Sequence, residues 1–152
     1  MRLLLALPVL LTIMAGLVAC GGDRSGNAAE STAGITNAPA ESGDAGLAEA
    51  YREHAADLEV EGRGTVVRLL KDDEDGSRHQ RFIIRLDSGQ TLLVAHNIDL
   101  APRIPRLQVG DAVAFHGEYE WGQEGGTIHW THRDPAGEHV SGWLRHGGRT
   151  YE

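Results

Sequence analysis

From residue 60 onward, apolar and polar residues alternate in short runs, and clusters of Gly, Ser, Asp, Asn or Pro separate the runs. Such alternation predicts half-buried strands. The run from Val60 to Leu70 carries Gly62 and Gly64 before Thr65-Val66-Val67, which predicts a strand able to bend at glycine. Arg81 to Leu86 places Phe82, Ile84 and Leu86 on one face and predicts a second strand. Ser88-Gly89 turns the chain into a third, Thr91 to Ala95. Ile98 to Leu107 contains Pro102 and Pro105 and reads as a connector with a helical turn. Val109-Gly110-Asp111 leads into a fourth strand, Ala112 to Trp121, and Gln123 to Gly126 turns into a fifth, Thr127 to Thr131. Trp143 to His146, Gly147-Gly148 and Arg149 to Tyr151 predict a terminal hairpin.

Upstream the period changes. Leu47, Tyr51, Ala55 and Leu58 recur at helical spacing, so residues 47–59 predict a short amphipathic helix with Asp44 as a capping candidate. Residues 20–46 are rich in Gly, Ala, Ser and Asp and offer little to bury, which predicts a disordered tether. Coil scaling gives such a tether a reach of about 25–30 Å.

Three strands, a long connector and two further strands, with glycines in the first, predict an all-β fold. The expected architecture is a small five-stranded OB-fold-like Greek-key barrel over residues 60–152, with a short N-terminal helix and a C-terminal hairpin. Another small barrel, such as an SH3-like one, is the alternative. About 100 residues can bury one modest core without disulfides.

The first residues read as an address. Arg2 precedes the apolar run Leu3 to Met14, and Leu17-Val18-Ala19-Cys20 follows. This is the pattern of a secretory leader over residues 1–19. Its end resembles a bacterial lipobox, in which Cys20 is the acylated first residue of the mature chain. The expectation is a lipoprotein of the cell envelope, held on the membrane through Cys20. In a Gram-negative cell, Gly21 after the cysteine favours the outer membrane, facing the periplasm.

Composition narrows the partners. A formal charge of −8 argues against general attraction to nucleic acid or anionic lipid. Cys20 is the single cysteine, so lipidation there leaves no thiol for a disulfide, a nucleophile or a metal.

Candidate chemistry concentrates in histidine. His129, His132, Asp134 and His139 are the candidate metal ligands, suited by type to zinc or another divalent ion. His129 and His132 have odd separation, so they converge only if the strand stops near Thr131. His79 and His96, with Arg81 and Trp130, are the candidate ligand-binding residues. The competing expectation is a buried polar network of histidines, with Asp134 in a turn and Trp130 and Trp143 in the core. Tyr119 and Trp121 share a strand face with Phe115 and are expected in the core. The arginines at 78, 81, 85, 103 and 106 are either an anion site or a solvated face. Asp72 to Gly76 lacks the ligand spacing of a calcium loop and reads as a solvated hairpin tip.

The stretches His79-Gln80-Arg81-Phe82, Ala95 to Arg103, Gly117-Glu118-Tyr119-Glu120-Trp121 and Gly126 to His139 resemble the bacterial family catalogued as domain of unknown function 3465. The resemblance spans roughly residues 60–152. It implies a small secreted or lipid-anchored domain and no established activity. The expected role is therefore a binding module for an envelope protein or small ligand, with no nucleophile motif to suggest catalysis. Two alternatives rest on the histidines: a hydrolase, metal-dependent or using imidazole as general base and acting on phosphodiesters, and an envelope metal-binding protein.

Overall fold

The computed structural model describes residues 43–152. The expected leader, Cys20 and most of the expected tether lie outside them. One helix and seven strands follow in order: α1 (Asp44–Glu53), β1 (Leu58–Leu69), β2 (His79–Arg85), β3 (Thr91–Asn97), β4 (Ala112–Glu120), β5 (Thr127–His129), β6 (Trp143–His146) and β7 (Arg149–Tyr151).

The sheet order is β1-β2-β3-β5-β4-β6-β7, and an additional β1–β4 pairing closes the first five strands into a ring. Neighbours run antiparallel except β3 and β5, which pair in parallel at Leu93↔Thr127 and Val94↔Ile128. This is the OB-type Greek-key barrel. The terminal hairpin extends it, since β6 pairs with β4 and β7 with β6.

Strand β1 serves two neighbours. Residues 58–65 pair with β4, and residues 65–69 pair with β2, with a register irregularity between Val66 and Arg68. Glycine permits the close packing this requires. A Cβ on Gly62 would sit 2.7 Å from the Phe115 ring, so the aromatic core lies directly against the β1 backbone.

Alternate residues of every strand fill the interior. Val66, Phe82, Ile84, Leu92, Val94, Val113, Phe115, Tyr119, Ile128 and Leu144 are fully buried. The connector between β3 and β4 adds Ala101, Ile104 and Leu107 to this interior. Buried Gln80 clasps it, donating to the Ile104 carbonyl at 3.1 Å and accepting the Ile104 N–H at 2.9 Å.

The helix differs from expectation. It spans Asp44–Glu53, starting within the stretch read as tether and ending before the predicted limit. His54 ends it in the left-handed conformation, with its N–H turned to the Ala50 and Tyr51 carbonyls. Leu58 and Glu59 join β1 instead, and Ala55 is tied to the residue after β4. Ala55 accepts a hydrogen bond from the Trp121 N–H, and Leu58 pairs with Tyr119. Ladder hydrogen bonds along β4 outweigh one further helical turn. Asp44 is not the cap. It is the first helical residue, and its carboxylate accepts the Ser88 N–H at 2.6 Å.

The helix seals the barrel end formed by the β2–β3 and β4–β5 turns. Leu47 is 0% exposed and belongs to the core cluster, and the Tyr51 hydroxyl donates to the Gln123 carbonyl. Leu47→Ala is expected to cost about 2–5 kcal/mol through lost burial and the cavity left behind. Chemical denaturation checks this, and a variant within about 0.5 kcal/mol of wild type would show that the helix is not part of the core.

Candidate functional site

Residues opposite one another in a sheet share a face, so the register builds the outer surface row by row. On the outside of β1, β4 and their neighbours, three rows follow. Glu59 opposes Glu118, which opposes His129. Glu61 opposes His116, which opposes Trp143. Arg63 opposes Ala114, which opposes Arg145. The first two rows are acidic, imidazole and aromatic, and the third is basic.

Beyond β5 the chain leaves the sheet at once. Trp130 has a φ of 50°, an unusual value for a bulky residue. Residues 130–142 form a loop that folds back over the first row. Its ends are pinched together, with the Gly142 N–H donating to the His132 carbonyl at 2.9 Å. Asp134 organises the tip: its carboxylate accepts backbone N–H groups of Ala136, Glu138 and His139. Those hydrogen bonds, from Ala136 first and then His139, hold the carboxyl below the usual range for aspartate.

The loop brings His139 over the sheet. Its ring stacks on Trp130 with centroids 3.9 Å apart, and its Nδ1 lies 3.7 Å from Glu118. His129 faces the other oxygen of the same carboxylate, its Nε2 at 3.2 Å. That nitrogen is buried and off the hydrogen-bonding direction, so it has no hydrogen-bond partner among the described residues. His116 Nε2 lies 2.9 Å from Glu59, and its Nδ1 is likewise buried and unpartnered. Between loop and sheet is a cleft of about 240 Å³ lined by Asp57, Glu59, His116, Gly117, Glu118, Trp130, Glu138, His139 and Val140. Four carboxylates line it and no lysine or arginine does. A larger depression of about 290 Å³ beside β3 has Glu124 as the one ionisable residue in its lining.

The expected metal set does not converge. His129 and His139 meet at Glu118, but the strand ends at His129, and His132 is buried beside Trp130 with its Nδ1 against the Arg133 carbonyl at 2.8 Å. The Asp134 carboxylate is already occupied by the loop backbone. Among the described residues, no group of three or more His, Cys, Asp or Glu is arranged to hold a metal ion.

The expected ligand-binding set also divides. His79 and His96 share one barrel end, but His96 points inward and is 0% exposed. Its Nδ1 meets the Thr131 hydroxyl at 2.9 Å and its Nε2 the Pro102 carbonyl at 3.2 Å. Burial pushes its pKa down to about 4, so the ring is neutral and structural. The assignment of roles follows: Nε2–H donates to Pro102, and Nδ1 accepts from Thr131. His79 is half-buried, and its backbone bridges to Asp73. Arg81 is held by Asp73 and by the Lys71 carbonyl. Of that set, Trp130 alone lines the cleft.

The other arginines of the 78–106 stretch form no shared site. Arg78 pairs with Asp99, and Arg103 with Asp72. The Arg78 backbone N–H and guanidinium hold Asp99 below the usual carboxylate range. The acidic loop thus anchors neighbouring arginines. Tyr119 is buried in the core and Trp121 packs partly buried against it. Trp143 is not core. It lies on the outer face, stacked against His116 and covered by the Arg145 guanidinium at 3.8 Å.

Glu59, His116 and Glu118 were missed in the sequence. Their signal is parity: 116 and 118 fall on the polar alternation of a strand whose odd positions are apolar or small. The strand register that sets them beside His129 is not visible in the chain itself.

No curated protein matches the chain. The family model described as Protein of unknown function (DUF3465) matches residues 31–152, which takes in the whole barrel, the helix and the site-forming loop. With most of its length covered, the chain belongs to this family.

Proposed function

We propose that the domain is a binding module of the cell envelope whose ligand, a small molecule or a protein side chain, presents a positively charged group. One observation carries this: four carboxylates and no lysine or arginine line a cleft walled by Trp130 and His139. An amine or guanidinium entering it would meet opposite charge on several sides and an aromatic wall. The left-handed Trp130 supports the same place, since strained residues cluster where ligands are held. The envelope part rests on the leader and Leu17-Val18-Ala19-Cys20, through which acyl chains would hold the domain at the membrane.

Titration calorimetry of the intact protein with spermidine and with tri-arginine tests the reading. Both are expected to bind at low salt and to weaken as salt rises. Glu59→Gln with Glu118→Gln should raise the dissociation constant by about tenfold, or roughly 1.4 kcal/mol. Absence of binding at low salt, or binding unchanged in the double variant, would sink it.

A hydrolase is the second reading, because Glu118 facing two imidazoles can orient one of them as a general base. Phosphodiester turnover that is lost in His129→Gln, with affinity for spermidine retained, would favour it.

A further inference from the structure

We propose a second, oppositely charged site: an oxyanion-binding groove made by Arg63 and Arg145 across Ala114. The register carries the argument. Arg63 on β1 and Arg145 on β6 are both direct partners of Ala114 on the strand between them. Their Cα atoms are therefore about 10 Å apart, two strand spacings. The residue between them ends at Cβ, so two guanidinium groups can lean together over a low floor. A groove of about 220 Å³ lies there, with Gly147 and Gly148 forming a rim without side chains.

Charge supports the same conclusion. Arg63 and Arg145 pair with no carboxylate among the described residues, as is also true of Arg68, Arg85, Arg106 and Arg149, but of these only Arg63 and Arg145 line the groove. No carboxylate lines the groove. The nearby Asp111 is engaged by His146 at 2.9 Å and by the Gln108 N–H at 2.8 Å. Arg145 is also held in place by a cation–π contact, its guanidinium carbon 3.8 Å from the centre of the Trp143 ring. A cation–π contact uses no N–H···O hydrogen bond, so the guanidinium N–H groups remain available to oxygen acceptors. Two such forks match a tetrahedral oxyanion bearing two or more free oxygens. The ligand class is a phosphate group, either free or monoester, or the phosphodiester of a lipid headgroup.

The test uses the full chain in a non-ionic detergent, followed by amide NMR. Inorganic phosphate, glycerol 3-phosphate and glycerophosphoglycerol are added separately. Saturable shifts are expected at 112–114 and 145–148, with a dissociation constant on the order of 1 mM. Arg63→Gln with Arg145→Gln should raise that constant at least tenfold, and Arg145→Lys should raise it several-fold by losing the fork. Both arginines are exposed, so the variants should keep the wild-type melting temperature. Binding of the first two probes alone assigns free or monoester phosphate, and binding of the diester assigns a headgroup. The proposal is overturned if no probe gives saturable shifts, if the shifts centre on residues 78–103, or if the double variant binds as wild type does.

Discussion

Gly142→Ala is expected to lower stability by about 3 kcal/mol, a large part of the roughly 5–15 kcal/mol available to a domain. A Cβ there would stand 1.9 Å from the Trp130 carbonyl oxygen and 2.6 Å from that of His116. Both obstacles are backbone, so no rotamer change relieves them. The loop must open or β6 must shift away from β4. The internal control is Gly137→Ala in the same loop. Gly137 has a positive φ of 71° but nothing within 4 Å of the added atom, so only conformational strain of about 1 kcal/mol applies. Melting temperatures for a domain of this size should separate the two by about 8–15 °C. Because Gly142 closes the loop that carries His139, affinity for spermidine should fall as well. A Gly142→Ala protein that melts with Gly137→Ala would mean the pinch is not built as described.

Acid should destabilise the barrel through His96. Its folded pKa, about 4, lies below the ordinary value of 6.5, so the unfolded chain binds more protons between those values. Stability therefore rises with pH across that interval and is lost as pH falls from about 6.5 towards 4. At about pH 4.5 the loss attributable to this one ring is about 2.5 kcal/mol. Urea unfolding of wild type and His96→Gln at neutral pH and at about pH 4.5 isolates the effect. The variant should start less stable, because it disturbs the Thr131 and Pro102 contacts, and should lose about 2.5 kcal/mol less on acidification. Parallel losses in the two proteins would show that His96 is already protonated or hydrated when folded.

The barrel was legible because its code is local. Alternation in Arg81 to Leu86 and in Ala112 to Trp121 specifies which side of each strand is buried, and the turn glycines specify where strands end. The terminal hairpin was legible at Gly147-Gly148 for the same reason. The helix boundary was not, since Ala55 and Leu58 fit a helical face and a strand start equally well; pairing with β4 decided between them. The site was less legible still. His139 was singled out for its type, but its partner Glu118 comes from a strand that meets it only through tertiary register and a folded-back loop. His132 and His96 share that residue type and are buried, His132 bonded to a backbone carbonyl and His96 to the Thr131 hydroxyl and a backbone carbonyl. Residue type alone does not tell a histidine facing solvent from one packed beneath the loop.

The double pairing of β1 sets the order of folding. Its β2 contacts form between neighbours in the chain, but its β4 contacts run from Thr65↔Ala112 to Leu58↔Tyr119. Closure therefore waits until the chain beyond β4 is available, and contacts of such separation slow folding. Until then half of β1 is an open edge, the kind of surface along which unfinished chains aggregate. Glu59, Glu61 and Arg63 occupy that half. The charged side chains of the finished barrel's outer face thus first act as guards, keeping an unfinished barrel from pairing with another copy of itself.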